Sequence, residues 1–174
     1  MKNIYLIGMM GAGKTVTGEA LADELNMKFI DLDEEIVKKV KMNINDIFET
    51  RGEPYFRRLE KESLNVAAKI RDRVIATGGG IVLDPDNVML MKETGFVIYL
   101  QAPLEILWER IRNKADRPLL KVSNPQEVFA KLFLQRKRLY ESIHDHAVNT
   151  QQKQPVQLAR EIINLLGLSS HERT

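Results

Sequence analysis

Apolar residues along this chain fall into two arrangements. Short unbroken runs such as Ile4-Tyr5-Leu6-Ile7, Val74-Ile75-Ala76 and Phe96-Val97-Ile98-Tyr99-Leu100 show no polar alternation, as strands buried on both faces require. Between them apolar residues recur at helical spacing, as at Ala20, Leu21 and Leu25, or Phe56, Leu59, Leu64 and Ala67. The pattern predicts strands over 3–7, 28–33, 73–77, 96–100 and 147–149. It predicts helices over 16–25, 34–40, 53–70, 85–95, 104–112, 125–143 and 155–166, and one capped by Asn43 or Asn45 and ended by Gly52. Residues 113–124 read as a polar loop and 169–174 as a mobile tail. Strands alternating with helices predict an α/β fold, a central parallel five-stranded sheet covered on both faces. Ligands of such sheets bind outside the carboxyl ends of the strands.

At 174 residues the chain is expected to form one domain with a sizeable core. Its 26 basic and 24 acidic residues leave a net charge of +2, which makes no case for nucleic acid or an anionic membrane as partner. Without cysteine there is no disulfide framework, thiolate metal site or thiol nucleophile. The first strand begins by residue 3, so no signal peptide is expected, and no apolar run reaches membrane-spanning length. A cytoplasmic protein is expected.

The chemistry begins at Gly8-Met9-Met10-Gly11-Ala12-Gly13-Lys14-Thr15, which reads G-x-x-x-x-G-K-T. This is the phosphate-binding P-loop pattern, and it lies between a strand and a helix, where the pattern belongs. A chance glycine-rich turn lacks that context. The glycines let successive N–H groups turn inward around an anion, and the helix N-terminus adds partial positive charge. Lys14 is placed to reach the β- and γ-phosphates and Thr15 to ligate Mg2+.

A metal on a nucleotide also calls for a carboxylate near the loop hydroxyl. Of the central strands, only 28–33 ends in acids, so Asp31 and Asp33 are the candidates, two apart and pointing the same way if the strand runs through them. Asp33 could instead simply cap a helix beginning at Glu34. Arg57, Arg117 and Arg136 are candidates to bind an anionic acceptor, since arginine grips carboxylate and phosphate bidentately. Any of the three could equally be a solvated surface charge.

At this point the chain resembles the shikimate kinases along nearly its whole length. The resemblance rests on Gly8 to Thr15; Phe29-Ile30-Asp31-Leu32-Asp33; Gly52-Glu53 with Phe56-Arg57 and Glu60; Thr77-Gly78-Gly79-Gly80; Arg117-Pro118-Leu119-Leu120; and Arg136 four residues before Tyr140. It implies a three-layer P-loop kinase fold with acceptor-binding helices over about 33–62 and a mobile lid over about 112–124. It implies MgATP-dependent phosphorylation of the 3-hydroxyl of shikimate by a monomer. Gly11, Ala12, Gly13, Lys14, Thr15, Val16, Arg117 and Lys153 would then contact ATP. Asp31 would hold Mg2+ through water, beside Thr15. Asp33, Arg57, Gly79, Gly80 and Arg136 would bind shikimate, and Lys14, Asp33 and Arg117 would act in catalysis. Arg57 and Arg136 are expected to lower the Asp33 pKa, making it a positioning group that accepts its proton late.

Two positions depart from the family pattern. Val16 stands where a second hydroxyl is common, and Lys153-Gln154-Pro155 where Arg-Asn-Pro is common. Lysine lacks the planar face that stacks on a base. The alternatives are a related P-loop small-molecule or nucleotide kinase, or a P-loop ATPase that is no kinase. Asn113-Lys114-Ala115-Asp116 spells the guanine-reading motif of switch GTPases but follows a helix, not a strand.

Overall fold

Five parallel strands form one sheet, in the order β2-β3-β1-β4-β5, in a computed structural model describing residues 1–114 and 117–168. The strands are β1 Asn3–Ile7, β2 Lys28–Asp31, β3 Arg73–Ala76, β4 Gly95–Gln101 and β5 His146–Asn149. The helices are α1 Lys14–Leu25, α2 Leu32–Val40, α3 Ile44–Arg51, α4 Glu53–Ala68, α5 Pro85–Thr94, α6 Leu104–Ile111, α7 Pro125–Ile143 and α8 Pro155–Leu165. They flank the sheet in the three-layer arrangement expected, with α1 against α8, and α5 and α7 against β4.

The central strand β1 is buried along its length, which is why its sequence carries no polar alternation. It pairs in parallel with β3, Leu6 opposite Ala76, and with β4, Ile7 opposite Tyr99. The chain crosses from one side of β1 to the other between β3 and β4, so the loop after β1 opens at the switch point where ligands bind. Buried Asn3 fixes the far end of that strand. Its Nδ2 donates to Ile70 O at 2.8 Å, and its Oδ1 accepts from the Arg73 N–H at 3.1 Å. A second, smaller core of Ile36, Ile47, Phe56 and Leu59 joins α2, α3 and α4.

Helix α1 lies so close to the sheet that a Cβ on Gly18 would overlap the Phe29 ring and sit 3.2 Å from Leu6 Cδ1. Overpacking of this kind costs about 1–3 kcal/mol. Gly18→Ala is therefore expected to lower the unfolding free energy by that amount, read as a lower denaturant midpoint at an unchanged m-value.

The structure corrects several element boundaries. Strand β2 stops at Asp31, not 33, because Leu32 turns fully inward as the first residue of α2. Asp31 is the N-cap, its carboxylate accepting from the N–H groups of Asp33 and Glu34. The capping role that was the alternative for Asp33 thus belongs to Asp31, and the two acids do not share a strand face. Helix α1 begins at Lys14, so Lys14 and Thr15 lie in its first turn. Short 3-10 turns at Ile81–Leu83 and Pro118–Leu120 were not expected. Residues 115 and 116 of the expected lid, and with them part of the Asn113-Lys114-Ala115-Asp116 motif, lie outside the described residues, as does the tail 169–174.

Candidate active site

The P-loop carries its glycines for definite reasons. Gly8, Gly11 and Gly13 have φ of 145°, 86° and 86°, which side chains rarely adopt. A Cβ on Gly8 would also lie 2.5 Å from Leu100 O, and one on Gly11 2.9 Å from Leu107 O. Gly13 caps α1 without a side chain, which leaves the first N–H groups of that helix for an anion. Lys14 Nζ donates to the Gly8 and Met9 carbonyls at 2.7 and 3.1 Å, holding the ammonium over the loop. Burial pulls its pKa down to about 8, against the opposite pull of Asp33.

Thr15 Oγ1 donates to Asp31 Oδ2 at 2.7 Å while Asp31 Oδ1 accepts from the Asp33 N–H at 3.0 Å. The N-cap geometry thus aims the free oxygen of Asp31 at the loop hydroxyl. No group of three or more His, Cys, Asp or Glu able to hold a metal occurs among the described residues. Two hard oxygens fit Mg2+, which keeps several waters and takes its remaining ligands from substrate phosphates.

Two cavities meet here. One, of about 510 Å3, runs from the loop and Lys14 to Arg110, Lys153 and Pro155. Val16, half exposed, lines it with a side chain that has no hydroxyl to offer. The other, of about 480 Å3, lies under α2, α3 and α4 and reaches Arg57, Glu60, Gly80 and Arg136. Asp31, Asp33, Gly79 and Arg117 line both. A molecule in each cavity would meet the other at these residues.

The second cavity is a set of interlocked charges. Arg57 on α4 donates from NH1 to Glu60 Oε2 at 2.9 Å and from NH2 to Glu53 Oε1 at 2.8 Å. The backbone of Gly78-Gly79-Gly80 makes room for this group. A Cβ on Gly78 would overlap Glu60 Oε1, and one on Gly80 would overlap the Arg57 guanidinium. Arg136 on α7 is buried, its NH1 3.5 Å from where a Gly79 Cβ would be. One turn later the Tyr140 hydroxyl donates to Gly79 O at 2.5 Å and pins the glycine turn. Among the described residues, Asp33 Oδ1 and Glu60 Oε1 are buried without a hydrogen-bond partner.

Asp33 departs from the expectation of a lowered pKa. Burial first, and the Asp31 carboxylate second, raise it above the ordinary carboxylate range; Lys14, Arg117 and Arg57 pull the other way and lose. Burial likewise raises Glu60, against Arg57.

The candidates from sequence therefore converge, with one qualification. Lys153 lines the first cavity, but its ammonium is 2.5 Å from Glu161 Oε2 at the rim. The planar group at that end is Arg110, which the sequence did not single out. It sits on α6 with no local motif, and its place depends on β5 bringing Thr150 beside it. The Tyr140 and Glu60 contacts were also not foreseen. Their i+4 and i+3 spacing from Arg136 and Arg57 was the available signal.

Comparison with known proteins identifies the family. The shikimate kinase family model matches residues 10–167. The shikimate kinase of Sulfurihydrogenibium sp. is 43% identical over 163 residues, 94% of this chain and 96% of its own. That of Persephonella marina is 43% identical over 163 residues, 94% of this chain and 98% of its own. The solved structure of shikimate kinase from Acinetobacter baumannii in complex with shikimate superposes with a TM-score of 0.92 at 38% identity, covering 95% of this chain and 93% of that one.

Proposed function

The chain belongs to the shikimate kinase family, and from that premise we propose that it transfers the γ-phosphoryl group of ATP to the 3-hydroxyl of shikimate, giving shikimate 3-phosphate for aromatic amino-acid biosynthesis. The observation that carries the reading is the second cavity. Two guanidiniums suit a carboxylate there, and two buried carboxylate oxygens without donors suit hydroxyls. An acceptor that is both an anion and a polyol satisfies all four groups, and shikimate is such a molecule.

Arg57 and Arg136 hold the acceptor carboxylate, with the Gly79–Gly80 backbone close against the ring. Asp33 receives the reacting hydroxyl. The hydroxyl oxygen forms the new bond to the γ-phosphorus as the bond to the β–γ bridging oxygen breaks. ADP keeps that electron pair, and the hydroxyl proton passes to Asp33. Lys14, the P-loop N–H groups and Arg117 stabilise the phosphoryl oxygens. Thr15 and, through water, Asp31 would hold Mg2+, which when bound neutralises phosphate charge. The segment 112–124 acts as a lid that brings Arg117 onto the phosphates and excludes water. Contact of Pro118–Leu120 with α3 and the Lys121–Glu49 ion pair at 2.5 Å support that docking. A cytoplasmic monomer is the proposed form. No helix of the described residues is long and apolar enough to cross a membrane.

ADP release measured with shikimate, gluconate and nucleoside monophosphates tests the reading. Release that depends on shikimate is expected. Release without any acceptor would favour an ATPase, and dependence on a monophosphate a nucleotide kinase.

Gly80→Ala tests the carboxylate clamp without removing a charge. Gly80 has φ −98°, which any residue adopts, so the effect is the displacement of Arg57. Disturbing a buried charge-assisted pair costs about 2–5 kcal/mol. Shikimate affinity is therefore expected to fall at least about tenfold, with MgATP affinity little changed. Normal shikimate affinity in this variant would place the clamp elsewhere.

A further inference from the structure

The three glycines after β3 are held in different ways. Gly78 O accepts from the Ile81 N–H at 3.2 Å and Gly80 O from the Leu83 N–H at 3.0 Å, so both belong to the short turn that follows. Gly79 O accepts instead from the Tyr140 hydroxyl at 2.5 Å, from a residue 61 positions away. Packing also treats them differently. A Cβ on Gly78 or Gly80 would overlap a neighbour, whereas one on Gly79 would stand 3.5 Å from Arg136 NH1 and 3.6 Å from Gly8 O and Met10 N, which is ordinary contact. Close packing does not clamp the middle of the turn, which leaves the Tyr140 bond to do so.

Tyr140 is itself firmly placed. It is fully buried, and its ring stacks on Tyr99 with 5.2 Å between centroids and 29° between planes. Tyr99 lies opposite Ile7, the residue that leads into the P-loop, and the Tyr140 oxygen is 3.9 Å from Met9 Sδ. Burial raises its pKa, against Arg136 and Arg57, so the hydroxyl keeps its proton and stays a donor. Tyr140 lines neither cavity, but Gly79 lines both.

We propose that Tyr140 is a positioning residue for the phosphoryl transfer: by holding Gly79 O it sets where the Gly79–Gly80 backbone stands against the P-loop, and with it the distance from the acceptor hydroxyl to the γ-phosphate. The inference rests on the acceptor-site reading above and adds to it a residue outside both cavities. The Gly79–Gly80 peptide is planar and trans, so fixing the Gly79 carbonyl also fixes the direction of the Gly80 N–H. Reaction needs the attacking atom within about 3–3.5 Å of its target, and a 1 Å misplacement costs about 10²-fold in rate. Binding is less exacting, because the acceptor carboxylate is gripped by Arg57 and Arg136, whose charges Tyr140 does not alter.

Tyr140→Phe keeps the ring and its stacking and removes the donor. In the purified enzyme, kcat for shikimate 3-phosphate is expected to fall by about 10–100-fold, with the shikimate dissociation constant from calorimetry within about threefold of wild type. Hydrogen exchange over residues 78–83 is expected to quicken by about tenfold or more. Tyr5→Phe is the control. It removes the same atom from another fully buried ring, one that is bonded to Thr94 Oγ1 at 2.7 Å and lines neither cavity. Its melting temperature should fall while kcat stays within about threefold of wild type. Rates are taken at saturating substrates, which hold a weakened variant in its folded form. A Tyr140→Phe kcat within about threefold of wild type, binding that weakens as much as kcat falls, unchanged exchange over 78–83, or an equal kcat loss in Tyr5→Phe each overturns the proposal. Wild-type turnover that ignores shikimate would sink the parent reading and this one with it, whereas shikimate-dependent turnover with a normal Tyr140→Phe kcat sinks this one alone.

Discussion

Lys14→Ala is expected to lower turnover by about 10²–10³-fold, the usual effect of deleting one preorganised donor to a developing charge, while the fold survives. The ammonium is held by two carbonyls of its own loop, Gly8 O and Met9 O, so it waits in place and need not be ordered during the reaction. Its buried site strengthens its field on the transferring phosphoryl group and disfavours its own charge, which is why its pKa falls to about 8. Removing it therefore relieves a desolvation cost and leaves the two loop carbonyls beside the space its side chain vacates. Thermal stability should change little. The check is turnover beside a melting curve. Wild-type turnover would remove the P-loop from the chemistry, and a collapsed melting transition would make the turnover loss uninformative about Lys14.

Asp33→Asn is expected to lower turnover by about 10²–10⁴-fold, the range for a positioned proton acceptor, with shikimate affinity reduced only a few-fold. The amide keeps the shape and one acceptor oxygen and loses the charge. Asp33→Ala should damage both quantities, because nothing is left to receive the hydroxyl. Sequence reasoning had cast Asp33 as a weakly basic aiming group, with two arginines lowering its pKa. In the structure desolvation and Asp31 outweigh the cations, which makes the carboxylate more basic and better suited to take the proton. A loose phosphoryl-transfer transition state still asks for that proton late. Turnover and binary shikimate affinity, measured for both variants, separate the roles. Wild-type turnover in Asp33→Asn would show that the charge is dispensable, and wild-type affinity in Asp33→Ala that the carboxylate does not touch the acceptor.

The error over Asp33 marks the kind of information the sequence lacked. A pKa is the resultant of opposing terms, and their sizes depend on how completely water is excluded. The family resemblance can say that Arg57 is near Asp33, but not that both are enclosed by α2, α4 and the glycine turn. The same holds for Asp31. Its letters fit either a strand end or a cap, and the choice was made by Leu32, which buries itself against the main core and forces the chain to turn one residue after β2. Arg110 carried no local signal, because what orients it is Thr150, 40 residues away.

The sequence by itself determined the elements and the phosphate site. Unbroken apolar runs are what two-sided burial demands, helical spacing is what one-sided burial demands, and both are local properties of the chain. The glycine–lysine–threonine loop is local as well, since its left-handed backbone and its helix N-terminus are built from consecutive residues. Tertiary structure alone decided how β1 is flanked, where the two cavities meet, which carboxylate oxygens lack a partner, and which cations are already spent on protein acceptors. These depend on contacts between residues distant in sequence, and on the exclusion of water those contacts bring about, neither of which a linear pattern encodes.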